Sequence, residues 1–260
     1  MRNRLRTRVA ASAAGGALAL TALAVPGAQA DAPQHRTQPP TTRVDGGYPP
    51  ANRVIVGTTT PNTLTVNFWA SDPVLVERLG ARLFQGTSPT EAQRWWHPAK
   101  TKCTGSAFEQ YCTATFVFDP RGPLANVHAG KWGVQVWAAG TDHVQKTAGH
   151  FMLKRAAKMA INATPEPAKR GRTITVNGSF TRANWDTNTY TGYARVPVVL
   201  SEREPDRAHY GRIATVATDA KGLLKARITA KDDRFFRYSY NSDFTTDIAI
   251  SYGDYVDVRR

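Results

Sequence analysis

Three oxygen-bearing side chains at alternate positions form the pattern in this sequence that is most suggestive of metal chemistry. Asn184, Asp186 and Asn188 lie in the loop NWDTN. Carboxylate and amide oxygens bind Ca²⁺, and this spacing matches the first half of an EF-hand loop. The glycine at the sixth position and the distal glutamate of such a loop are absent. Asx turns, in which Asn and Asp side chains bind their own backbone, account for the same residues. Calcium binding therefore stays an alternative, and we expect no cofactor.

Aromatic residues in or beside predicted loops could bind a carbohydrate. Trp and Tyr rings offer a flat apolar surface with a polar edge, which suits stacking on other flat surfaces. The candidates are Trp95, Trp96, Trp185, Tyr190 and Tyr193. For Trp185 the alternative is a plug that closes the open end of a sandwich. Trp95 and Trp96 are adjacent, so one of the two rings is expected to face outward.

Catalytic chemistry has no signature in this sequence. The six histidines are scattered and form neither an H-x-x-x-H nor an H-E-x-x-H pattern. A G-x-S-x-G turn, a glycine-rich phosphate loop and a C-x-x-C pair are also absent. We therefore expect no catalytic residues and no enzyme activity, but a non-catalytic binding or structural function.

The elements that position these residues are predicted to be β-strands. Apolar and polar residues alternate with period two at Leu64, Val66 and Phe68, and again over 132–138 and 174–180. Several short strands at near-regular spacing, separated by turn residues, indicate immunoglobulin-like β-sandwiches. We expect an all-β protein with two such sandwiches in tandem. Ser88–Glu91 carries a helix N-cap pattern and predicts a short helix there, with a further edge strand as the alternative.

The chain divides into four segments by composition. Residues 1–30 combine four arginines, an apolar run and an Ala-x-Ala site, which predicts a cleaved secretory signal peptide. Residues 31–50 are rich in Pro and Thr and predict a flexible leader. Residues 51–155 and 156–260 are each long enough for one sandwich. We expect a secreted, extracellular protein without a transmembrane segment in the mature chain.

The cysteines and the charge fit an exported protein. Cys103 and Cys112 are the two cysteines of the chain and predict one disulfide in an oxidising compartment. The net charge is +14, of which the leader arginines contribute four. The remaining excess is spread over both halves, which is typical of a solvated surface and not of a nucleic-acid site. The expected partners are a cell-wall polymer or another secreted protein.

Three segments of the second half form a recognisable combination: Arg182–Trp185, Tyr190–Tyr193 and Gly253–Asp257. With them, residues 156–260 resemble an immunoglobulin-like module of small secreted actinobacterial proteins, and the preceding half looks like its usual companion. The resemblance implies the fold and an extracellular location. The family has no assigned activity, and the calcium-binding label of some members is not transferred here. Phe235–Phe236 depart from the pattern, because a strand containing tryptophan is expected there.

Overall fold

A computed structural model describes residues 41–260 of the chain. The predicted signal peptide and the first part of the predicted leader lie outside these residues. Within 41–260, strands and loops alternate with two single-turn 3₁₀ helices, Pro89–Glu91 and Asn126–His128. No helix in this range is long and apolar enough to cross a membrane. The expected all-β class, with immunoglobulin-like sandwiches in tandem, is confirmed.

The first sandwich contains nine strands: β1 (Arg43–Gly46), β2 (Arg53–Val56), β3 (Asn62–Ser71), β4 (Arg78–Gln85), β5 (Trp95–Trp96), β6 (Lys100–Gly105), β7 (Glu109–Phe118), β8 (Gly130–Ala139) and β9 (His143–Arg155). One sheet has the order β1-β3-β7-β6 and the other the order β2-β9-β8-β4-β5. The pairs are antiparallel except β2 with β9. The period-two alternation correctly predicted the buried face of β3, because Leu64, Val66 and Phe68 lie between the sheets.

The second sandwich contains eleven strands: β10 (Ala157–Thr164), β11 (Ala168–Lys169), β12 (Thr173–Asn184), β13 (Thr189–Gly192), β14 (Pro197–Arg203), β15 (Gly211–Ala217), β16 (Leu223–Thr229), β17 (Arg234–Tyr240), β18 (Ala249–Ile250), β19 (Asp254–Val256) and β20 (Val258–Arg259). In one sheet β12 lies between β10 and the strands β13 and β16. In the other, β14 lies between β15 and β17, which also pairs with β18 and β19. β11 and β20 form a short parallel pair.

The disulfide predicted from the cysteine pair is confirmed. Cys103 and Cys112 are bonded, and they are direct partners in the register of β6 and β7. Cys112 faces the core, whereas Cys103 lies on the exposed edge strand. The bond therefore holds an edge strand whose own side chains are exposed along its whole length.

Part of the predicted flexible leader is instead a strand, so the prediction for this stretch was wrong. β1 pairs along its length with β3, and Val44 is buried in the core. Thr42, just before it, donates to the Asp72 carboxylate at 2.6 Å, and Lys146 forms an ion pair with Asp45 at 2.6 Å. Composition misled here, because these tertiary contacts order a segment that has few apolar residues of its own.

The segment after Gly86 contains both a short helix and an edge strand, the two structures between which its sequence did not decide. Ser88 caps the 3₁₀ helix Pro89–Glu91 by accepting a hydrogen bond from Thr90 N–H at 3.2 Å. The chain then returns to an extended conformation, and β5 pairs with the end of β4. This short edge strand places two adjacent tryptophans on opposite faces of the sheet.

Candidate functional site

The outer face of the sheet β2-β9-β8-β4-β5 carries a group of aromatic and polar side chains that we name the aromatic face. Strand alternation turns Ala81 and Leu83 of β4 into the core and their neighbours outward. Pairing of β4 with β5 and β8 then brings together residues that are far apart in sequence. The aromatic face consists of Arg82, Phe84, Trp95, Gln135 and Trp137. Phe84 and Gln135 are buried beneath the other three, which form its accessible surface.

Trp95 is the most accessible ring of the aromatic face. Its side chain is 37 % exposed, and the Arg82 guanidinium lies 4.0 Å from the ring centroid. Arg82 is fixed in turn by Nε, which donates to the Gln135 side-chain oxygen at 2.7 Å. Stacking of a guanidinium on an indole is a favourable cation–π contact. The result is an exposed ring held in one orientation beside hydrogen-bond donors.

The rings of the aromatic face lie against glycines. Phe84 is paired with Gly133 and Trp137 with Gly80 in the register of β4 and β8. A side chain at Gly133 would overlap the Phe84 ring, and one at Gly80 would come within 2.8 Å of Trp137. These glycines let large rings lie on the sheet without standing away from it. The surface beside Trp95 is therefore low and aromatic.

Histidines border the aromatic face. His150 meets Phe84 edge to face, with centroids 5.7 Å apart, and its Nε2 lies 3.1 Å from the Thr87 carbonyl. His143 packs on Trp137 with centroids 6.3 Å apart. Both histidines therefore pack at the edge of the aromatic face through their rings.

Sequence reasoning identified Trp95 but missed the rest of the aromatic face. Gln135 and Trp137 lie in β8, whose period-two pattern correctly placed Trp132 and Val134 inward. The same alternation places Gln135 and Trp137 outward, so it could have identified them. The proximity of Arg82 to Trp95 depends on strand pairing and had no signal in the sequence.

Trp96, the neighbour of Trp95, belongs to the core of the first sandwich. Its ring packs against Phe118, His128 and Trp132, with centroids 5.5, 5.2 and 6.3 Å away. Burial lowers the pKa of His128, followed in effect by the charge of Arg94. Of the two adjacent tryptophans, one faces outward as expected, and only Trp95 offers a surface to a ligand.

Trp185 lies at the junction of the sandwiches and is buried against the first one. Its side chain is 2 % exposed and packs with the core of the first sandwich. The indole N–H donates to the Val56 carbonyl at 3.2 Å, and the backbone N–H donates to the Asn126 side chain at 3.0 Å. Burial this complete does not fit the stacking hypothesis for Trp185. The plug hypothesis is nearer to the structure, but the end that Trp185 closes belongs to the neighbouring sandwich.

The candidate calcium ligands lie beside Trp185, and two of them are bound to Asn126 of the first sandwich. The Asn126 side-chain amide donates to the side-chain oxygens of Asn184 and Asp186 at 2.7 and 2.5 Å. Asn126 N–H also donates to Asp186 at 3.0 Å. Asn188 has a positive φ of 54° and forms part of the turn. Residues 41–260 contain no cluster of three or more His, Cys, Asp or Glu side chains suited to a metal. These oxygens already hold the sandwiches together, which favours the turn over the calcium alternative.

Tyr190 and Tyr193 are half-buried on the second sandwich. Tyr190 packs against the core of the first sandwich, with Lys158 Nζ 3.9 Å from its ring centroid, and burial raises its pKa. Tyr193 is covered by Arg182, whose guanidinium carbon lies 3.8 Å from the ring centroid. The structure therefore groups both tyrosines with the junction, away from the aromatic face.

The junction itself is a single residue, Ala156, between β9 and β10. Its N–H donates to the Val56 carbonyl at 2.9 Å, and its carbonyl accepts from Ala183 N–H at 2.7 Å. Arg155, the last residue of β9, donates its backbone N–H to Thr245 at 2.9 Å. Backbone hydrogen bonds therefore run from the connector to both sandwiches, and no flexible linker separates them.

Asp243 lies in the second sandwich near this junction, and its carboxylate accepts several hydrogen bonds. Its carboxylate accepts hydrogen bonds from the Tyr193 and Tyr240 hydroxyls at 2.6 and 2.8 Å, and from the N–H groups of Thr245 and Thr246 at 2.7 and 2.6 Å. Burial raises the pKa of Asp243, but these hydrogen bonds outweigh it and lower the pKa from 3.8 to about 2. The ionised form is therefore the one that the fold stabilises.

We expect the protein to lose stability as the pH falls from about 4 to about 2, because Asp243 must then be protonated. Below its ordinary pKa the unfolded chain binds more protons than the native protein, so stability rises with pH across this window. Discounted for partial solvent exposure, the loss is on the order of 1–2 kcal/mol. Urea unfolding at pH 7 and pH 2.5 should show this extra loss in the wild type relative to Asp243→Asn. Equal pH dependence in the two proteins would contradict the assignment.

Comparison with known proteins finds similarity to solved structures that contain immunoglobulin-like or fibronectin(III)-like domains. No protein-family model and no curated protein matches it. Among solved structures, it is similar to the fibronectin(III)-like modules of Clostridium thermocellum CbhA (11 % identity, TM-score 0.31, 84 % of this chain and 93 % of that one). It is also similar to murine CEACAM1b, with 10 % identity and a TM-score of 0.37, over 84 % of this chain and 100 % of that one. A third similar structure contains the N-terminal eight Ig domains of Down Syndrome Cell Adhesion Molecule. The identity is 12 % and the TM-score 0.45, over 85 % of this chain and 25 % of that one. Identities and TM-scores this low say nothing about activity or ligand.

Proposed function

We propose that this chain is a non-catalytic binding protein that acts outside the cell and uses the aromatic face to bind a carbohydrate polymer of the cell wall. The observation that carries the proposal is the exposed Trp95 ring, fixed by Arg82 on a low aromatic surface. A rigid aromatic ring stacks on a flat ligand at small entropic cost. Arg82, which is held by the buried Gln135, supplies charged hydrogen-bond donors beside it.

The form of the site favours a polymer over a small free sugar. A small ligand is usually enclosed in a concave pocket, whereas the rings here lie flat on a sheet above glycines. A repeating chain of sugar rings can run across such a surface and contact Trp95 and Trp137 in turn. The positive charge of the chain also attracts anionic wall polymers at long range.

The extracellular location rests on the sequence and on the disulfide. The first thirty residues have the order of a secretory signal, and disulfides persist in oxidising compartments. We propose that the mature protein begins after residue 30, at the Ala-x-Ala site. Residues 51–155 and 156–260 are the proposed domains, with β1 added to the first.

Trp95→Ala is expected to weaken binding to insoluble wall material about tenfold. Stacking of the ligand on Trp95, with the Arg82 guanidinium held beside the ring, contributes on the order of 1–2 kcal/mol to the binding free energy. Binding isotherms of the purified protein on wall fractions and on chitin measure the effect. Tyr252→Ala is the matched control, because Tyr252 is a 94 % exposed aromatic residue outside the aromatic face, and it should bind as the wild type does.

The fold of each variant is checked by its free energy of unfolding, which should change by less than about 1 kcal/mol for exposed sites. If Trp95→Ala and Trp137→Ala both bind wall material as tightly as the wild type, the aromatic face is not the binding site. Loss of binding in Tyr252→Ala alone would move the site to the second sandwich.

A further inference from the structure

The second sandwich has an opening along one side, away from the aromatic face. There, β15 and β16 are edge strands of different sheets. The pairing of β14 with β15 contains a bulge: Leu200 pairs with Ala214 and Ser201 with Arg212, so Ile213 has no partner in the register. A cavity of about 410 Å³ lies at this opening. That volume falls within the range of small-molecule sites.

The inner wall of this cavity is apolar, whereas the rest of its lining is polar or charged. Its lining includes Ile174, Phe236 and Val256, which are core residues, and Ile228, which packs against the same core. Ile213 completes the wall and is 37 % exposed. A ligand that enters therefore removes apolar surface of the protein from water, and its own inner part must be apolar to gain from this contact.

The rim of the cavity is charged, and some of its charged groups are already paired. Asp232 forms an ion pair with Arg170 at 3.0 Å, and Arg234 forms one with Glu204 at 2.9 Å. Among residues 41–260, Arg227 and Lys231 form no ion pair. Two cations at the mouth are therefore available to a ligand.

One carboxylate opposes these cations. Glu202 lines the same cavity and, within the described residues, has no ion-pair partner. It lies on β14, in the sheet opposite Arg227, which is on β16. An anionic group is therefore attracted to the side of Arg227 and Lys231 and repelled from the side of Glu202. This asymmetry orients a ligand that has one charged end.

We infer that this cavity binds an amphipathic anion, with its apolar chain between the sheets and its carboxylate or phosphate group at Arg227 and Lys231. Charged hydrogen bonds of guanidinium and ammonium groups to such oxygens are among the stronger polar contacts. The site is separate from the proposed carbohydrate surface and does not depend on it.

The test measures binding of dodecanoate, below its micellar concentration, to the purified full chain by calorimetry. The wild type should bind with saturation at one site. Arg227→Glu with Lys231→Glu should weaken binding at least about tenfold, because two charged contacts become repulsive. Lys100→Glu with Lys102→Glu makes the same change of net charge at exposed positions of β6 in the first sandwich, and should leave the affinity unchanged.

Two further results decide the orientation of the ligand. Glu202→Gln should bind dodecanoate more tightly than the wild type, since the opposing charge is removed. Dodecyltrimethylammonium, with a cationic head, should bind more weakly than dodecanoate. The inference is overturned if dodecanoate shows no saturable binding, if the control double variant loses as much affinity as the test variant, or if the cationic amphiphile binds equally well.

Discussion

Replacing Trp185 by alanine is expected to lower the free energy of unfolding by about 3–5 kcal/mol, the range for buried aromatic residues cut to alanine. The side chain is almost fully buried against the first sandwich. Its removal leaves a cavity and also leaves the Val56 carbonyl without the indole donor. Both sandwiches should be destabilised, because Trp185 belongs to the second sandwich and packs in the core of the first.

Denaturant unfolding followed by tryptophan-independent circular dichroism measures this loss. Trp95→Ala is the matched control, since it removes the same side chain from an exposed surface, and it should change stability by less than about 1 kcal/mol. Trp185→Phe, which keeps most of the apolar volume, should fall between the two. If Trp185→Ala is as stable as Trp95→Ala, then the burial of Trp185 at the junction does not stabilise the protein.

Asn126→Ala is expected to cost about 2–3 kcal/mol, because it leaves partly buried polar groups unsatisfied. One amide side chain donates to Asn184 and Asp186 and accepts from the backbone N–H of Trp185. Alanine cannot replace any of these hydrogen bonds. The effect should therefore exceed that of the neighbouring substitution Val127→Ala, because Val127 is 55 % exposed and its side chain makes no hydrogen bond.

A double-mutant cycle separates the contact from a general loss of stability. Asn126→Ala and Asp186→Ala should be non-additive by about 1 kcal/mol or more, since the two side chains share hydrogen bonds across the junction. Additive effects would show that the two residues do not cooperate. Adding millimolar Ca²⁺ should leave the wild-type melting temperature unchanged, because Asn126 already occupies the oxygens of Asn184 and Asp186.

The sequence was sufficient for the core strands with regular alternation and for the disulfide, but not for β1. Alternation at Leu64, Val66 and Phe68 correctly identified a buried face, because side chains of a strand point alternately to opposite sides. The cysteine pair predicted the disulfide, since two nearby cysteines have few other partners. Each of these features depends on residues close together in the chain.

Tertiary structure alone decided what the aromatic residues do. Tryptophans within loops or strand ends look alike in sequence, yet Trp95 is exposed, Trp96 enters its own core and Trp185 enters the core of the neighbouring sandwich. Likewise, Asn184 and Asp186 could have bound an ion until Asn126, nearly sixty positions earlier, was placed between them. The physical reason is that burial is a property of packing between distant elements, whereas a sequence pattern reports only which side of its own strand a residue occupies.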